Sequence, residues 1–308
     1  ADNQKLTWSA QYRFVRAESS GFNDMPTRQT AAFFVAWSRP SKNGKSALTV
    51  SARQAFSGQN RRPFTPAAGW TWTPAPAWAF RAHIARSFRL PSLNDLYWTP
   101  GGNPELRPEA GWSEELGLTF RPFKKDGAPA FSTTFFNRLI KNQIIWLPGA
   151  SGIWSPSNVG RVWSRGVENE VKGRVPAGGF FLDFSLRHDL VFSTNQTARF
   201  DQDATFGKQL IYVPKNRFSA YIELKMKWLD IFLSQNYTSK VYTLADNSEA
   251  LPGWARTDAG LGISFHKIPA RLYFSVQNIW NKSYEVVRTY PMPGRHAALR
   301  FSIDFSKD

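Results

Sequence analysis

Apolar and polar side chains alternate one by one along most of this chain, and this pattern limits its fold more than any other feature. In the segment 6–14 every even position is apolar and every odd position is polar. Successive side chains of a β-strand point to opposite faces, whereas a helix of 3.6 residues per turn would scatter the apolar set around its surface. The same alternation returns at 180–187, 218–228 and 299–305. The chain is therefore predicted to be all-β, with strands that carry one apolar face.

About 14 such strands are predicted along the chain. They cover residues 5–17, 29–39, 46–57, 64–73, 78–89, 112–122, 129–146, 161–175, 179–194, 215–228, 230–241, 254–266, 270–279 and 296–306. Some are joined by tight turns, as at 41–45 and 176–179, and others by long links, as at 90–111 and 195–214. Short turns on one rim and long loops on the other are typical of outer-membrane barrels.

The number of strands and the apolar runs together favour a closed barrel in a membrane. The longest apolar run, 31–37, is far shorter than the roughly 20 residues that a membrane helix needs. About 14 strands also exceed what an open twisted sheet tolerates without closing. Tryptophans cluster near predicted strand ends, as at a membrane interface: Trp37, Trp70, Trp72, Trp78, Trp146, Trp228 and Trp254. We predict an antiparallel transmembrane β-barrel; the alternative is a soluble β-sandwich or barrel, which also alternates.

The strong positive charge does not favour a nucleic-acid partner. The chain has 39 Lys and Arg against 23 Asp and Glu, a formal net charge of +16. Nucleic-acid-binding proteins gather such cations into a stripe or a helix face. Here cations such as Arg13, Arg81 and Arg300 stand singly between apolar neighbours, as on the polar face of a strand. We therefore expect no nucleic acid among the partners.

No motif for catalysis, a cofactor or a metal is found. The chain contains no cysteine, which excludes disulfide scaffolds, thiolate nucleophiles and Cys-ligated metals. It has no GxSxG elbow, no HExxH helix and no phosphate loop. The four histidines, His83, His188, His266 and His296, lack metal-ligand spacing. We expect a protein that is not an enzyme and that carries no cofactor and no metal.

Several ordered motifs resemble a known family. The first group is SFRLPSLNDLY at 87–97, GNPELRPE at 102–109 and WSEELGL at 112–118. It closely resembles the FRAP, LY, GNP-L-PE and ELG signature of TonB-dependent outer-membrane transporters. Three further stretches match the same family in the same order: 158–160 with 165–168, 212–218, and 276–295.

The resemblance implies a fold and a domain assignment. Members of the family are 22-stranded barrels with an N-terminal plug domain in the lumen, and residues 1–308 resemble only the C-terminal strands of such a barrel. We expect residues 1–308 to form one domain, the C-terminal portion of the barrel. The plug and about eight leading strands would then lie on another chain or on a removed segment.

The resemblance also implies a function in the bacterial outer membrane. It predicts import of a scarce nutrient chelate, such as a siderophore or cobalamin, and the pattern is nearest to the cobalamin and siderophore branch. The implied partners are the chelate, the plug portion, the TonB energy-coupling protein acting through the plug, and outer-membrane lipid with lipopolysaccharide. No histidine lies in residues 92–102, where haem-specific members place one, so haem is not the expected ligand.

Two alternatives stay open at this point. If residues 6–14 pair with residues 299–305, the chain closes alone as a barrel of about 14 strands. It would then be a passive pore, or a transport-inactive structural component of an outer-membrane complex.

Seven residues are candidates for the functional site. The family's glutamates at the positions of Glu115 and Glu168 face plug arginines, so the resemblance implies plug contacts here; the plainer interpretation is two solvated lumen carboxylates. Ligand contacts are expected from aromatic and cationic loop residues, which stack on or pair with an anionic chelate. These candidates are Trp98, Trp154, Arg61, Arg62 and Tyr242. Each could instead be an interfacial anchor or a lipopolysaccharide contact, and Asn103, Pro104 and Pro108 are expected to shape a loop.

Overall fold

A computed structural model describes residues 4–57, 60–61, 63–124, 127–149, 152–198, 200–265 and 268–304. Its first elements are β1 (Lys5–Arg16), β2 (Thr27–Pro40), β3 (Ser46–Ser57), β4 (Asn60–Arg61), β5 (Thr65–Ala75), β6 (Trp78–Arg89), α1 (Leu93–Tyr97), β7 (Glu109–Phe120), β8 (Ala130–Pro148) and β9 (Trp154–Ala177). They are followed by β10 (Phe180–Asn195), β11 (Asn216–Lys225), β12 (Leu229–Thr238), β13 (Val241–Tyr242), β14 (Ala250–Leu251), β15 (Trp254–Ser264), β16 (Ala270–Gln277), β17 (Glu285–Val287), β18 (Tyr290–Pro291) and β19 (His296–Ile303). Within these ranges no helix is long and apolar enough to span a membrane.

The long strands form one antiparallel sheet in which neighbours in the sequence are neighbours in space. The order is β1-β2-β3-β5-β6-β7-β8-β9-β10-β11-β12-β15-β16-β19, and β4 pairs only with the end of β3. Two small hairpins, β13 with β14 and β17 with β18, lie in the links between sheet strands. The all-β, antiparallel prediction of about 14 strands is confirmed.

The main difference from the predicted strands lies in the β8–β9 hairpin. The predicted link 147–160 is mostly strand, because β8 continues to Pro148 and β9 begins at Trp154. Pro156 and Gly160 are residues that disfavour strands, yet Pro156 pairs with Trp146 in the extended hairpin. The backbone hydrogen bonds of the extended β8–β9 hairpin outweigh the low strand propensity of Pro156 and Gly160.

The apolar face of the sheet is exposed and not packed in a core. Leu116, Phe135 and Phe33 expose 61%, 58% and 61% of their surface. In a soluble sandwich a second sheet would cover such a face. A small buried cluster of Val159, Val162 and Leu210 lies at the end with the long links, where β9 meets the link after β10. The arrangement suits a wall whose apolar face contacts lipid, so the soluble alternative is wrong.

The two rims of the sheet differ. At the short-turn rim, β9 and β10 are joined by Gly178 and Gly179, whose φ angles of +58° and +94° favour glycine. Aromatic rings also gather there: Trp78 lies 4.3 Å from Phe120 and Trp72 lies 5.3 Å from Phe80, centroid to centroid. At the long-loop rim, long segments follow β6, β10, β12 and β16. The rims therefore match the inner and outer ends of an outer-membrane barrel.

The first and last strands of the described sheet each pair on one side only. β1 pairs with β2, and β19 pairs with β16. Pairing between 6–14 and 299–305, the alternative that would close the chain alone, is not seen within the described residues, which end at Asp304. The sheet thus has two edges, β1 and β19, with open backbone groups.

Candidate functional site

The motif residues at the long-loop rim hold one another in an ionic network. Arg89, at the end of β6, donates two hydrogen bonds to the Glu109 carboxylate at 2.9 and 2.7 Å. Glu109 begins β7 directly opposite Arg89 and also accepts from the Ile144 backbone N–H at 2.6 Å. A two-pronged bond of this kind fixes orientation as well as distance. It closes the long loop between β6 and β7 at its base.

Asp95 is the buried centre of that loop. It stands at the third position of α1 and forms a capping box with Ser92, which begins the helix. Its side chain also accepts a hydrogen bond from Trp146 Nε1 at 3.0 Å and lies 3.6 Å from an Arg89 nitrogen. Burial alone would raise the pKa of Asp95, but the bonds from Ser92 and Trp146 and the Arg89 charge outweigh it and hold the pKa below its ordinary value.

Two asparagines of the signature tie the loop to the β8–β9 hairpin. Asn103 Nδ2 donates to the Pro156 carbonyl at 3.1 Å. Asn158 Nδ2 donates to the Arg107 carbonyl at 2.9 Å, and Asn158 Oδ1 accepts from the Arg107 N–H at 2.7 Å. These amides bond the backbone and so are used as structural links, as expected for the loop at Asn103. The motifs that carry the resemblance therefore meet in one place and build a rigid outer loop.

Trp98 lines a cleft beside this loop. It follows α1, and its ring meets Phe22 edge-on at 6.1 Å. The cleft holds about 590 Å³ and is lined by the loop 23–27, by Tyr97 and Trp98, and by Pro104. Both aromatic rings are exposed. A planar or aromatic group entering from outside the cell would meet two stacking surfaces here.

Trp154 and Tyr242 belong to a second aromatic cluster. The rings of Trp154 and Tyr212 are 5.5 Å apart, and the Tyr212 N–H donates to the Tyr242 carbonyl at 2.9 Å. Lys240 Nζ stands 5.4 Å from the Tyr242 ring. The structure brings Trp154 and Tyr242 together through Tyr212, a residue of the motif 212–218 whose part in the cluster the sequence analysis missed. The Arg61 side chain and the whole of Arg62 lie outside the described residues.

The link after β10 is fixed to its neighbours by buried polar contacts. Gln209 is buried; its Oε1 accepts from the Ser193 N–H at 3.0 Å and its Nε2 donates to the Val213 carbonyl at 3.2 Å. Asn247, from the link after β12, accepts from the Gln209 N–H at 3.0 Å. The outer loops are thus folded onto one another and hold their aromatic residues in place.

The face opposite the apolar one, the lumen face, carries both candidate glutamates. Glu115 lies next to Leu116 and Glu168 next to Val167, so alternation places the two carboxylates on the face away from lipid. Glu115 stands opposite His83 of β6, and Glu168 stands opposite Asp189 of β10. A polar cleft of about 480 Å³ contains Arg81, Glu168, Glu170, Arg187 and Asp189.

Among the described residues most lumen carboxylates form a direct ion pair, but Glu115, Glu168 and Asp189 do not, although the Arg187 charge acts on Glu168 and Asp189. Glu170 lies 2.9 Å from Arg187, and Asp183 lies 2.6 Å from Arg174. Within the described parts of the chain, no ion pair joins Glu115, Glu168 or Asp189 to a cation. Two carboxylates directly opposite each other, as Glu168 and Asp189 are, destabilise a sheet unless a cation is supplied. In the same parts of the chain no three acidic or histidine side chains gather as a metal site.

The motif at 276–295 fixes the last long loop. Asn278 is almost fully buried, its N–H donates to Asp258 Oδ1 at 2.9 Å, and its Oδ1 accepts from the Lys282 N–H at 2.9 Å. Tyr284 stacks on Trp254 with ring centroids 4.7 Å apart. The motif is therefore a loop anchor on β15.

Comparison with known proteins agrees with this architecture. A family model described as "TonB dependent receptor-like, beta-barrel" matches residues 3–279. A vitamin B12 transporter of Vibrio vulnificus is 37% identical over 93 residues, which cover 30% of this chain and 14% of that protein. A vitamin B12 transporter of Photobacterium profundum is 26% identical over 218 residues, 70% of this chain and 33% of that protein.

Two solved structures show the same fold. The ferric enterobactin receptor of Pseudomonas aeruginosa, in complex with enterobactin, has a TM-score of 0.72 at 16% identity, over 97% of this chain and 51% of that one. The FrpB iron transporter of Neisseria meningitidis has a TM-score of 0.69 at 16% identity, over 98% and 52%. The chain spans about half the length of these structures and a third or less of the two curated relatives. The proteins it resembles are transporters and receptors, and the chain belongs to the TonB-dependent receptor β-barrel family of the bacterial outer membrane.

Proposed function

We propose that this chain forms the C-terminal part of the barrel wall of a TonB-dependent transporter that imports a scarce nutrient chelate, a siderophore, cobalamin or a similar molecule. The observation that carries the proposal is the pair Glu168 and Asp189: within the described residues neither carboxylate forms a direct ion pair, whereas Glu170 and Asp183 do, and Arg187 acts on the pair only as a neighbouring charge. An acidic pair of this kind suits a cationic plug domain that must dock and be released.

The rest of the wall is supplied by residues other than those of this sheet. β1 and β19 leave backbone donors and acceptors open at two edges, and each unsatisfied group in lipid costs several kcal/mol. The chain covers only about half of the related structures. We propose that the plug and the remaining strands consist of residues outside this sheet, with TonB acting through that plug.

The plug contacts the wall at Glu115 and Glu168. Both carboxylates face the lumen beside other polar groups, Glu115 opposite His83 and Glu168 beside the cleft that contains Arg81. A plug arginine that reaches either carboxylate would form a charge-assisted hydrogen bond, which is strong but reversible. Asp189 joins Glu168 in this role.

The chelate is bound from the outer side by the aromatic residues of the folded loops. Trp98 and Tyr97 line one cleft, and Trp154, Tyr212 and Tyr242 form the second cluster. Lys240 adds a positive charge beside Tyr242. Arg61 and Arg62 are proposed as further cations for an anionic chelate.

A growth experiment tests the proposal. Cells with and without the gene for this chain are grown with cobalamin, haem or a panel of siderophores as the sole source of cobalamin or iron. We expect loss of the gene to abolish growth on one cobalamin or siderophore source and to leave growth on haem unchanged. Equal growth on every source would contradict transport. A steady conductance of the purified chain in planar bilayers would instead support a passive pore.

A further inference from the structure

Two opposite charges lie on the lipid-facing side of the wall. Glu114 of β7 stands directly opposite Ile84 of β6. Two residues further along β6, Arg86 stands directly opposite Trp112 of β7. Cross-strand partners share one face of a sheet, and Ile84 and Trp112 are exposed on the apolar face, so the two charged residues share that face. Arg86 and Glu114 are here called the lipid-face pair.

The lipid-face pair lies within the apolar band of the wall. Phe120 ends β7 at the aromatic short-turn rim, six residues beyond Glu114. Six residues of strand rise about 20 Å, which a tilt of roughly 40° reduces to about 15 Å of depth in a band about 25 Å tall. Lys141 and Arg161 lie higher, at the long-loop rim, where water screens their charge. At the depth of the lipid-face pair, by contrast, an ionisable side chain is destabilising unless it meets a partner.

Within the described residues neither member of the lipid-face pair forms an ion pair. Glu114 Oε2 accepts a hydrogen bond from the neutral amide of Asn137, whose Nδ2 lies at 3.0 Å. Arg86 Nη1 donates to the Phe64 carbonyl at 3.4 Å, which is long for a hydrogen bond. Neutral groups therefore orient both charges, and no described residue neutralises either one.

Strand tilt brings Arg86 and Glu114 to nearly the same depth. The Arg121 N–H donates to the Ala77 carbonyl at 2.7 Å, so the lumen-facing residues of β7 bond toward β6. For L-residues this places β7 to the left of β6, seen from the lipid with the long-loop rim uppermost. The right-handed coiling of barrel strands leans their upper ends to the right, so a step from β6 to β7 rises about 3 Å. The two-residue offset of Arg86 along its strand rises about 5 Å, so the two residues lie about 8 Å apart at depths that differ by about 2 Å.

This arrangement is self-complementary. Two copies in one membrane have the same orientation, so a closed dimer has its two-fold axis along the membrane normal. With the axis midway between the members of the lipid-face pair, Arg86 of one copy faces Glu114 of the second copy, and the reverse pair forms on the other side of the axis. Ile84 then lies beside the axis and faces its own counterpart. One symmetry operation thus supplies both missing partners.

A groove of small side chains lies on the same axis. Ala68 and Ala82 are set between the larger Trp70, Ile84 and Leu116, which leaves a groove of about 490 Å³. Ala68 stands opposite Ile84 and Ala82 opposite Trp70, so the same tilt places the two alanines at nearly equal depth on either side of the axis. Small side chains allow membrane-embedded surfaces to approach closely. The groove therefore lets two walls meet where their charges match.

We propose that this face is an interface between two copies of the wall, joined by two symmetry-related Arg86–Glu114 ion pairs beside the groove. The charges favour a second copy over lipid, because acyl chains fill a groove but carry no charged group at this depth. An unrelated protein would need matching charges of its own, whereas a second copy supplies them by symmetry. The proposal requires the outer-membrane location and is independent of the imported chelate.

Site-specific cross-linking in intact cells that carry the complete transporter tests the proposal. The chain has no cysteine, so Ile84→Cys provides one thiol beside the axis, and Leu233→Cys provides the control, exposed on the lipid face of β12. With a short bifunctional maleimide we expect a product of two copies from position 84 and none from position 233. The proposal would be overturned by the absence of this product from position 84, by equal products from both positions, or by a product that joins position 84 to a different protein.

Charge reversal in the Ile84→Cys chain gives a second readout. Glu114→Arg or Arg86→Glu alone makes both facing pairs like-charged, so we expect about tenfold less of the two-copy product. Co-expression of the two reversed chains, distinguished by tags, is expected to restore the product between them, because each chain then faces opposite charges on the other. Charges that acted only within one chain would not be rescued by mixing. Single reversals without effect, or mixing without rescue, would contradict the proposal.

The double variant Arg86→Glu with Glu114→Arg keeps the total charge of this face. Its two swapped pairs are equivalent to the original ones, so we expect as much two-copy product as from Ile84→Cys alone. A folded double variant without this product would contradict the proposal even if both single reversals failed to fold.

Discussion

Glu168 of β9 and Asp189 of β10 stand directly opposite each other on the lumen face, and neither forms a direct ion pair with a cation of the described residues, although the Arg187 charge lies near both. Two residues further along each strand, Glu170 faces Arg187 and lies 2.9 Å from it. The same two strands therefore hold, side by side, a carboxylate in a direct ion pair and two facing carboxylates that share only the neighbouring charge of Arg187. We propose that Glu168 and Asp189 receive a further cation from outside this sheet.

The first prediction concerns that pair. Glu168→Gln with Asp189→Asn removes two facing negative charges, so we expect the isolated chain to gain about 0.5 kcal/mol in free energy of unfolding. The same change is expected to weaken retention of the plug. Chemical denaturation measures the first effect and co-purification of the plug the second. Glu170→Gln is the matched control: it removes the half-exposed ion pairs of Glu170 with Arg187 and Lys172, so a loss of up to about 1 kcal/mol in free energy of unfolding with normal plug retention is expected.

The second prediction concerns acid stability of the outer loop. The pKa of Asp95 is held below its ordinary value of 3.8, so its stabilising effect is present above pH 3.8 and is lost as the pH falls through the lowered pKa. Trp146→Phe removes one of the hydrogen bonds that lower this pKa. We expect the variant to be less stable by about 1 kcal/mol at neutral pH and the difference to shrink in acid.

Hydrogen exchange of the backbone amides of residues 92–98 between pH 2 and pH 7, corrected for the intrinsic exchange rate at each pH, measures this effect. A difference that is constant over that range would show that only the packing of Trp146 matters. The matched control is Trp72→Phe, at the short-turn rim and away from any carboxylate in the described contacts, whose effect is expected not to vary with pH.

The third prediction concerns the turn between β9 and β10. Gly178 and Gly179 both have positive φ, so an alanine at either position costs about 1–2 kcal/mol. Gly69→Ala is the control, because a Cβ there would stand 3.6 Å from the nearest atom, of His83, in ordinary contact. Thermal unfolding of the Gly178→Ala and Gly69→Ala variants in detergent measures the two effects. Equal effects at Gly178 and Gly69 would show that the turn conformation is not required.

The fourth prediction concerns ligand binding by the outer loops. Trp98→Ala and Trp154→Ala each remove an aromatic surface, and we expect each to weaken binding of the transported chelate about tenfold, from the roughly 1 kcal/mol or more of one lost ring contact. Binding is followed on whole cells with labelled chelate. Trp78→Ala, at the short-turn rim, is the control and should leave affinity unchanged. If neither loop variant differs from Trp78→Ala, the aromatic clusters are only structural.

The fold was predictable because its signal is local and repeated, whereas the site depends on long-range contacts. Alternation alone places Glu115 and Glu168 on the face opposite Leu116 and Val167. It contains no information about the bond between Asp95 and Trp146, which are 51 residues apart in the sequence. Its place near a predicted strand end favours an interface anchor at Trp146, whereas in the structure its Nε1 donates to the buried Asp95 carboxylate. Burial and pairing of such residues are decided by the fold as a whole.

The start of β9 is a second feature that the local sequence does not predict, and here the long-range contacts are made by the backbone. The strands predicted at 129–146 and 161–175 leave residues 147–160 as a link, and Pro156 within it disfavours a strand. The pairing of β8 with β9 continues through it, and Asn103 and Asn158 then bond to backbone carbonyls of the motif loops and the hairpin. The extension of the β8–β9 hairpin depends on pairing between the two strands, so residues 147–160 taken alone do not predict it.

The most direct test of the account is a cross-link from the lumen face to the plug. The chain has no cysteine, so Glu168→Cys provides a single site for a thiol-linked photo-cross-linker, and Val167→Cys provides the matched site on the lipid face. In intact cells, the account predicts that position 168 captures a plug peptide and that position 167 captures lipid only. Capture of the plug from position 167, or of no plug peptide from position 168, would contradict it.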